Sequence, residues 1–258
     1  MQYLWGDDRF ILKSPELPFT VMTRKQTQFN QAMEKYHSNP LYSGFGIFIA
    51  TSSISLQLLL LMRLFSSPMT LWLHIIAFLL AYLLTDLLNG LIHMVMDHHD
   101  NYTACYGPLV AQFHLHHRTP RYTRRPLPLV YFHETGAKIW LTPYLLVVWW
   151  LFSAATIPSL LLTILVYVGV LSSVAEVSHY LCHSSDSKWV GGMAKLGVLL
   201  SRSHHTLHHT QDNTNYAFLN GMSDPLINRI ARRYYNGYKQ HTDTHFAAYS
   251  PTSEQDSR

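Results

Sequence analysis

Leu84-Thr85-Asp86-Leu87-Leu88-Asn89-Gly90-Leu91-Ile92-His93-Met94-Val95-Met96-Asp97 carries an apolar run straight into a series of polar groups, with no helix breaker between them. Asp86, Gly90, His93 and Asp97 recur at spacings of four, three and four, which is one stripe of a continuing helix. The run behind them begins near Met69 and is cleanly apolar to Leu84, close to the ~20 residues that cross ~30 Å of hydrocarbon. A lone carboxylate near a membrane helix end costs roughly 1–3 kcal/mol unless it is partnered or wet. Carboxylate, glycine, imidazole and carboxylate on one face therefore read as a site wall at the end of a span.

The same design recurs downstream. An apolar block from Ile157 to Ala175 continues into Glu176, His179 and His183, again at spacings of three and four. Two further apolar blocks run from Leu41 to Met62 and from Ile139 to Thr156. Short polar breaks, Ser66-Ser67-Pro68 and Thr156-Ile157-Pro158-Ser159, pair the four blocks as hairpins. Charged residues make up 13% of the 258, about half the soluble norm of roughly 25%, as expected for a membrane protein. The reading is an all-α membrane protein with four transmembrane helices and a cytosolic, histidine-rich helical cap. Its parts are a cytosolic N-terminal arm over residues 1–40, a membrane and metal-binding domain over 41–245, and a disordered tail over 246–258.

Four crossings place both termini, residues 93–138 and everything after His179 on one side. Of 19 Lys and Arg, only Arg63 then falls on the other side, so the positive-inside rule makes the histidine side, with both termini, cytoplasmic. The two cysteines, Cys105 and Cys182, have no CxxC spacing and read as reduced. The first residues lack the basic start and apolar run of a cleavable signal peptide. No basic run interleaved with aromatics points to nucleic acid. Thr23–His37 and Pro225–Tyr235 fit amphipathic helices, the first either lying on the bilayer surface or belonging to a plain solvated arm.

The cap carries the chemistry. In Ser201-Arg202-Ser203-His204-His205-Thr206-Leu207-His208-His209, His205, His208 and His209 share one helical face. With His93, His116, His117, His179 and His183 they offer eight imidazoles, and Asp97 is a ninth donor. Eight nitrogens suit two metals, and nitrogen ligation without cysteine fits two iron ions engaged with O2 as co-substrate, zinc being the alternative. Asp86 and Glu176 are placed to orient ligand imidazoles by accepting their second N–H. His133 is a possible extra ligand; His98, His99, His114 and His204 read as solvated neighbours. Arg121, Arg124, Arg125 and Arg202 are candidates for a lipid head group.

At these residues the chain resembles the lipid desaturase family that includes the Kua-type plasmanylethanolamine desaturase and the plastid phosphatidylglycerol trans-3 desaturase, over roughly residues 80–230. The resemblance rests on Asp86-x3-Gly90-x2-His93-x3-Asp97, on Gln112-Phe113-His114-Leu115-His116-His117 with Pro120 and Thr123-Arg124-Arg125, on His179-x3-His183, and on Arg202-x2-His205-x2-His208-His209 with Asn215-Tyr216 and Gly221. Met94 stands where the family usually has Trp, and Asp224 near where members carry Asn. The resemblance implies an oxygen-dependent di-iron enzyme. It would introduce a double bond near the head-group end of a phospholipid or ether-lipid chain, giving a plasmalogen in the Kua type. Electrons would come from an external donor such as cytochrome b5 or ferredoxin. The alternatives are a di-metal lipid or fatty-acid hydroxylase and a membrane metal-binding or transport protein.

Overall fold

The computed structural model describes residues 19–66, 68–118, 125–134, 136–153, 157–211 and 214–234. Residues 1–18 of the expected N-terminal arm, the tail over 246–258, Arg121 and Arg124 lie outside the described residues. The described residues are mainly helical, with no strand among them. Ten α-helices follow in order: α1 (Phe19–Ser38), α2 (Pro40–Phe65), α3 (Leu71–His98), α4 (Gly107–Arg118), α5 (Leu127–His133), α6 (Leu141–Leu151), α7 (Ser159–Ser184), α8 (Lys188–Lys195), α9 (Arg202–Thr210) and α10 (Asp224–Tyr234). A 3-10 turn, Gly136–Trp140, leads into α6.

Among the described residues three helices, α2, α3 and α7, are long and apolar enough to cross a membrane. Their outward faces expose Trp72, Leu79 and Leu161, as lipid-facing walls do. The fourth expected crossing is shorter: only Lys138–Leu151 forms an apolar helix there. It still returns the chain to the far end, where Arg63 at the end of α2 donates to the Phe152 carbonyl at 3.0 Å and stands 5.0 Å over its ring. Asn39 caps α2 by accepting the Leu41 N–H, and Pro40 at the first position needs no partner there.

Lipid tails are as apolar as leucine, so polar contacts and close fit hold such helices together. Ser53 meets Thr142 at 2.9 Å, Gln57 donates to the Gly169 carbonyl and the Ser173 hydroxyl, and Asn89 donates to Ser172. Together these tie α2 to α6, α2 to α7, and α3 to α7. Gly90 lets the chain approach α3 closely: a Cβ there would meet Ile227 Cδ1 at 2.4 Å and Ala217 Cα at 3.2 Å.

Helix α1 covers the expected amphipathic stretch, but its apolar face is not free for a bilayer. Phe29, Ala32 and Met33 are buried against Ala111 and Leu115 of α4 and against Tyr102. Lys25 pairs with Asp100 at 2.7 Å at one end, and Tyr36 donates to the His133 carbonyl at the other. An apolar stripe buried in protein is lost to lipid, so α1 clamps the cap.

Candidate metal centre

Four helices deliver donors to one place. α3 brings His93 and Asp97, α4 His116 and His117, α7 His179 and His183, and α9 His205, His208 and His209. All nine are buried. They fall into two groups: His116, His179, His183, His205 and His209, and His93, Asp97, His117 and His208. Within each group one ligand atom per residue lies within 4.8 Å of the others. The groups adjoin, with the His117 and His209 rings 4.8 Å apart and the His205 and His208 rings 5.3 Å apart.

Each helix presents its donors for a local reason. Ser201 caps α9 by accepting the His204 N–H, which starts the helix in register to put His205, His208 and His209 on one buried face. The α3 stripe divides its work. Asp86 accepts from the backbone N–H groups of Leu219, Asn220 and Gly221 with one oxygen, and from the Ser223 N–H and hydroxyl with the other. The docked segment places Tyr216 and Phe218 over the donors. Phe218 stacks on His179 at 4.1 Å and 8°, and lies 4.3 Å from His93.

The nitrogen spacing fits an ion. His179 Nε2 lies 3.1 Å from His116 Nε2, 2.9 Å from His205 Nε2 and 3.2 Å from His183 Nε2. His205 Nε2 is also 2.9 Å from His209 Nε2. A ring nitrogen holds one hydrogen or one in-plane lone pair, so one partner is its hydrogen-bonding capacity. Three close nitrogens around His179 exceed it. Donors about 2.0–2.1 Å from a common ion and at right angles to one another lie about 3 Å apart, which is the spacing present.

The second group has the same character. His93 Nδ1 is 2.7 Å from the Tyr216 carbonyl, and His208 Nδ1 is 2.9 Å from the Thr214 carbonyl. In a neutral ring the hydrogen must then sit on Nδ1, and Nε2 carries a lone pair. Both Nε2 atoms face Asp97 Oδ2 at 3.3 Å, while His117 Nε2 stands 2.9 Å from Oδ1. Lone pairs directed at a carboxylate repel unless a cation lies between them. Burial, reinforced by the neighbouring imidazoles, holds His116, His205 and His209 well below the ordinary histidine value, so these rings are neutral and can offer a lone pair to an ion.

Other expected roles change. The acceptors of the second ring N–H are backbone carbonyls for His93 and His208, not Asp86, whose oxygens are taken by residues 219–223. Glu176 faces the 3-10 turn, where a Cβ on Gly136 would lie 3.8 Å from its Oε2. His133 is exposed on α5 and belongs to neither group. His114, read as solvated, is fully buried between the Tyr102 hydroxyl and the Met96 carbonyl. His204 pairs with buried Asp224 at 2.6 Å. Arg202 donates to the Cys182 and Ser185 carbonyls at the end of α7 and to Asp186, while Arg125 is exposed. Phe218 escaped the sequence reading, although it stands two residues after Tyr216, and Phe113 entered it only as part of the Gln112–His117 motif, with no role of its own.

A family model described as a lipid desaturase domain matches residues 82–233, more than half of the chain and all nine donors. Neither a curated protein nor a solved structure matches it.

Proposed function

This chain belongs to the lipid desaturase family, and from that membership we propose that it is a di-iron, O2-dependent desaturase acting near the head-group end of a phospholipid or ether-lipid chain. The observation that carries the reading is the pair of adjoining buried donor groups, five imidazoles beside three imidazoles and a carboxylate. Five nitrogens exceed a tetrahedral zinc site, and the absence of thiolate from the set favours iron. A bound iron pair supplies the oxygen chemistry that takes hydrogen from an unactivated C–H bond, which no side-chain acid or base can do.

The balance is simple. Two adjacent carbons each lose one hydrogen, O2 takes these two hydrogens with two protons and two electrons, and two waters leave. The electrons come from an external donor of the cytochrome b5 or ferredoxin type. His93 and His208 are fixed by their Nδ1–H donation to backbone carbonyls, which makes Nε2 the atom that would hold an ion. Tyr216 and Phe218, both buried, keep bulk water from the donors. The three long apolar helices and the basic residues flanking their ends support a multi-pass protein with its donor side and both termini in the cytoplasm.

Lipid analysis of a host expressing the chain, beside a His208→Ala, His209→Ala control, tests the reading. A lipid species lighter by two hydrogens, absent from the control, is expected. Gain of one oxygen instead would identify a hydroxylase, and metal flux without lipid change would identify a carrier.

A further inference from the structure

An apolar cavity of about 210 Å³ lies beside the second donor group, between the end of α3, the outer face of α4 and the 3-10 turn. Val95 and Met96 form one wall, Leu109 and Val110 another, and Ile139 a third. Phe113 closes the inner end. It is buried, and its ring stands edge-on to two donors, 5.7 Å from His93 and 6.4 Å from His117. The other end opens beside Val95, which is 51% exposed on α3, and near His99 and Tyr106, which hydrogen-bond to each other at 3.0 Å.

We propose that this cavity holds a stretch of the substrate's hydrocarbon chain, and that Phe113 sets which carbons reach the donors. The inference rests on the desaturase reading and names the chain-binding part of the same site. An apolar cavity destabilises a fold in proportion to its empty volume, and water gains no partners in it. Its occupant is therefore apolar, and alkyl chain is the abundant apolar ligand at a membrane helix. The volume is below the ~300–1,000 Å³ of a site for a whole small molecule, so it suits part of one chain. Phe113, beside the donors, marks the side of the cavity nearest the reacting carbons.

Photolabelling tests this without turnover. The full chain in vesicles containing a phosphatidylcholine with a diazirine part-way along one chain is illuminated and its peptides are mapped. Labels on Leu109, Val110 or Phe113 are expected. Leu109→Trp, which fills the cavity, should cut them about tenfold, while the volume-conserving Leu109→Met retains them. If Leu109→Trp does not fold, Ile139→Trp fills the cavity from the opposite wall. Phe113→Leu should shift the double bond in the product lipid. Labels confined to outward residues such as Leu79 and Trp72, or labels unchanged in a folded Trp variant, overturn the proposal. Labelling in the cavity with no new double bond in any lipid would instead sink the desaturase reading and leave the chain site standing.

Discussion

Asp86 illustrates how a single carboxylate can build a site that it does not touch. It is 1% exposed and accepts five hydrogen bonds from residues 219–223. Hydrogen bonds to a charged group contribute about 1.5–3 kcal/mol each, and one oxygen is lost in the amide. Asp86→Asn should therefore lower stability by about 3 kcal/mol, read as a lower melting temperature, with Ser223→Ala costing about 1 kcal/mol. Gly90→Ala should cost about 1–3 kcal/mol by overpacking against Ile227 and Ala217, and Ile227→Val, which removes Cδ1, should recover part of it. Equal losses with and without that partner change would contradict the contact. The Asp86–Gly90–His93–Asp97 stripe was legible because helical period alone puts four residues on one face. The partners of Asp86 were not, because they lie more than 130 residues downstream and only the fold brings them near. His114 was misread for a related reason: local polarity around it hides a burial created by α3 and Tyr102.

Among the elements, α9 was the most legible. Its i, i+3, i+4 histidines are a local feature. Ser201→Ala should destabilise by about 1 kcal/mol and weaken metal retention through α9 alone. Helices α4 and α9 also bring in the pH dependence. His116, His205 and His209 stay neutral when folded, but in the unfolded chain they take up protons below about pH 6.5. The unfolded state then binds more protons, so stability is full above that pH and falls as pH drops through it, by up to about 1.4 kcal/mol per unit for each ring. Thermal melts of the metal-free protein across pH 5 to 8 should show this fall. A flat profile, or a rise towards acid, would count against the buried neutral cluster. Helices α1 and α6 were only partly legible. The apolar face of α1 was visible, but its cover by α4 depends on tertiary contact. The apolar block of α6 was visible, but part of its length becomes a 3-10 turn.

Taken together, the helices form a bundle whose donors lie at one end. α3 and α7 both finish at the donor groups, so the chain between them must return to the far end, and α6 with its 3-10 turn makes that return. Arg63 marks the far end, and Lys195 and Arg125 lie towards the donor end. Variants Arg63→Cys and Lys195→Cys in a Cys105→Ser background, whose remaining native thiol Cys182 is buried, should label with impermeant reagent from opposite sides of sealed vesicles. Labelling of both from the same side would overturn the proposed orientation. The proposed function requires a pair of ions held between the four helices that carry the two donor groups. The metal content of the purified full chain, measured by elemental mass spectrometry against protein concentration, tests it most directly. Two irons per chain are expected, falling when His179 or His208 is replaced by alanine. A chain that binds one ion or none after iron loading, or that holds only zinc, would contradict it.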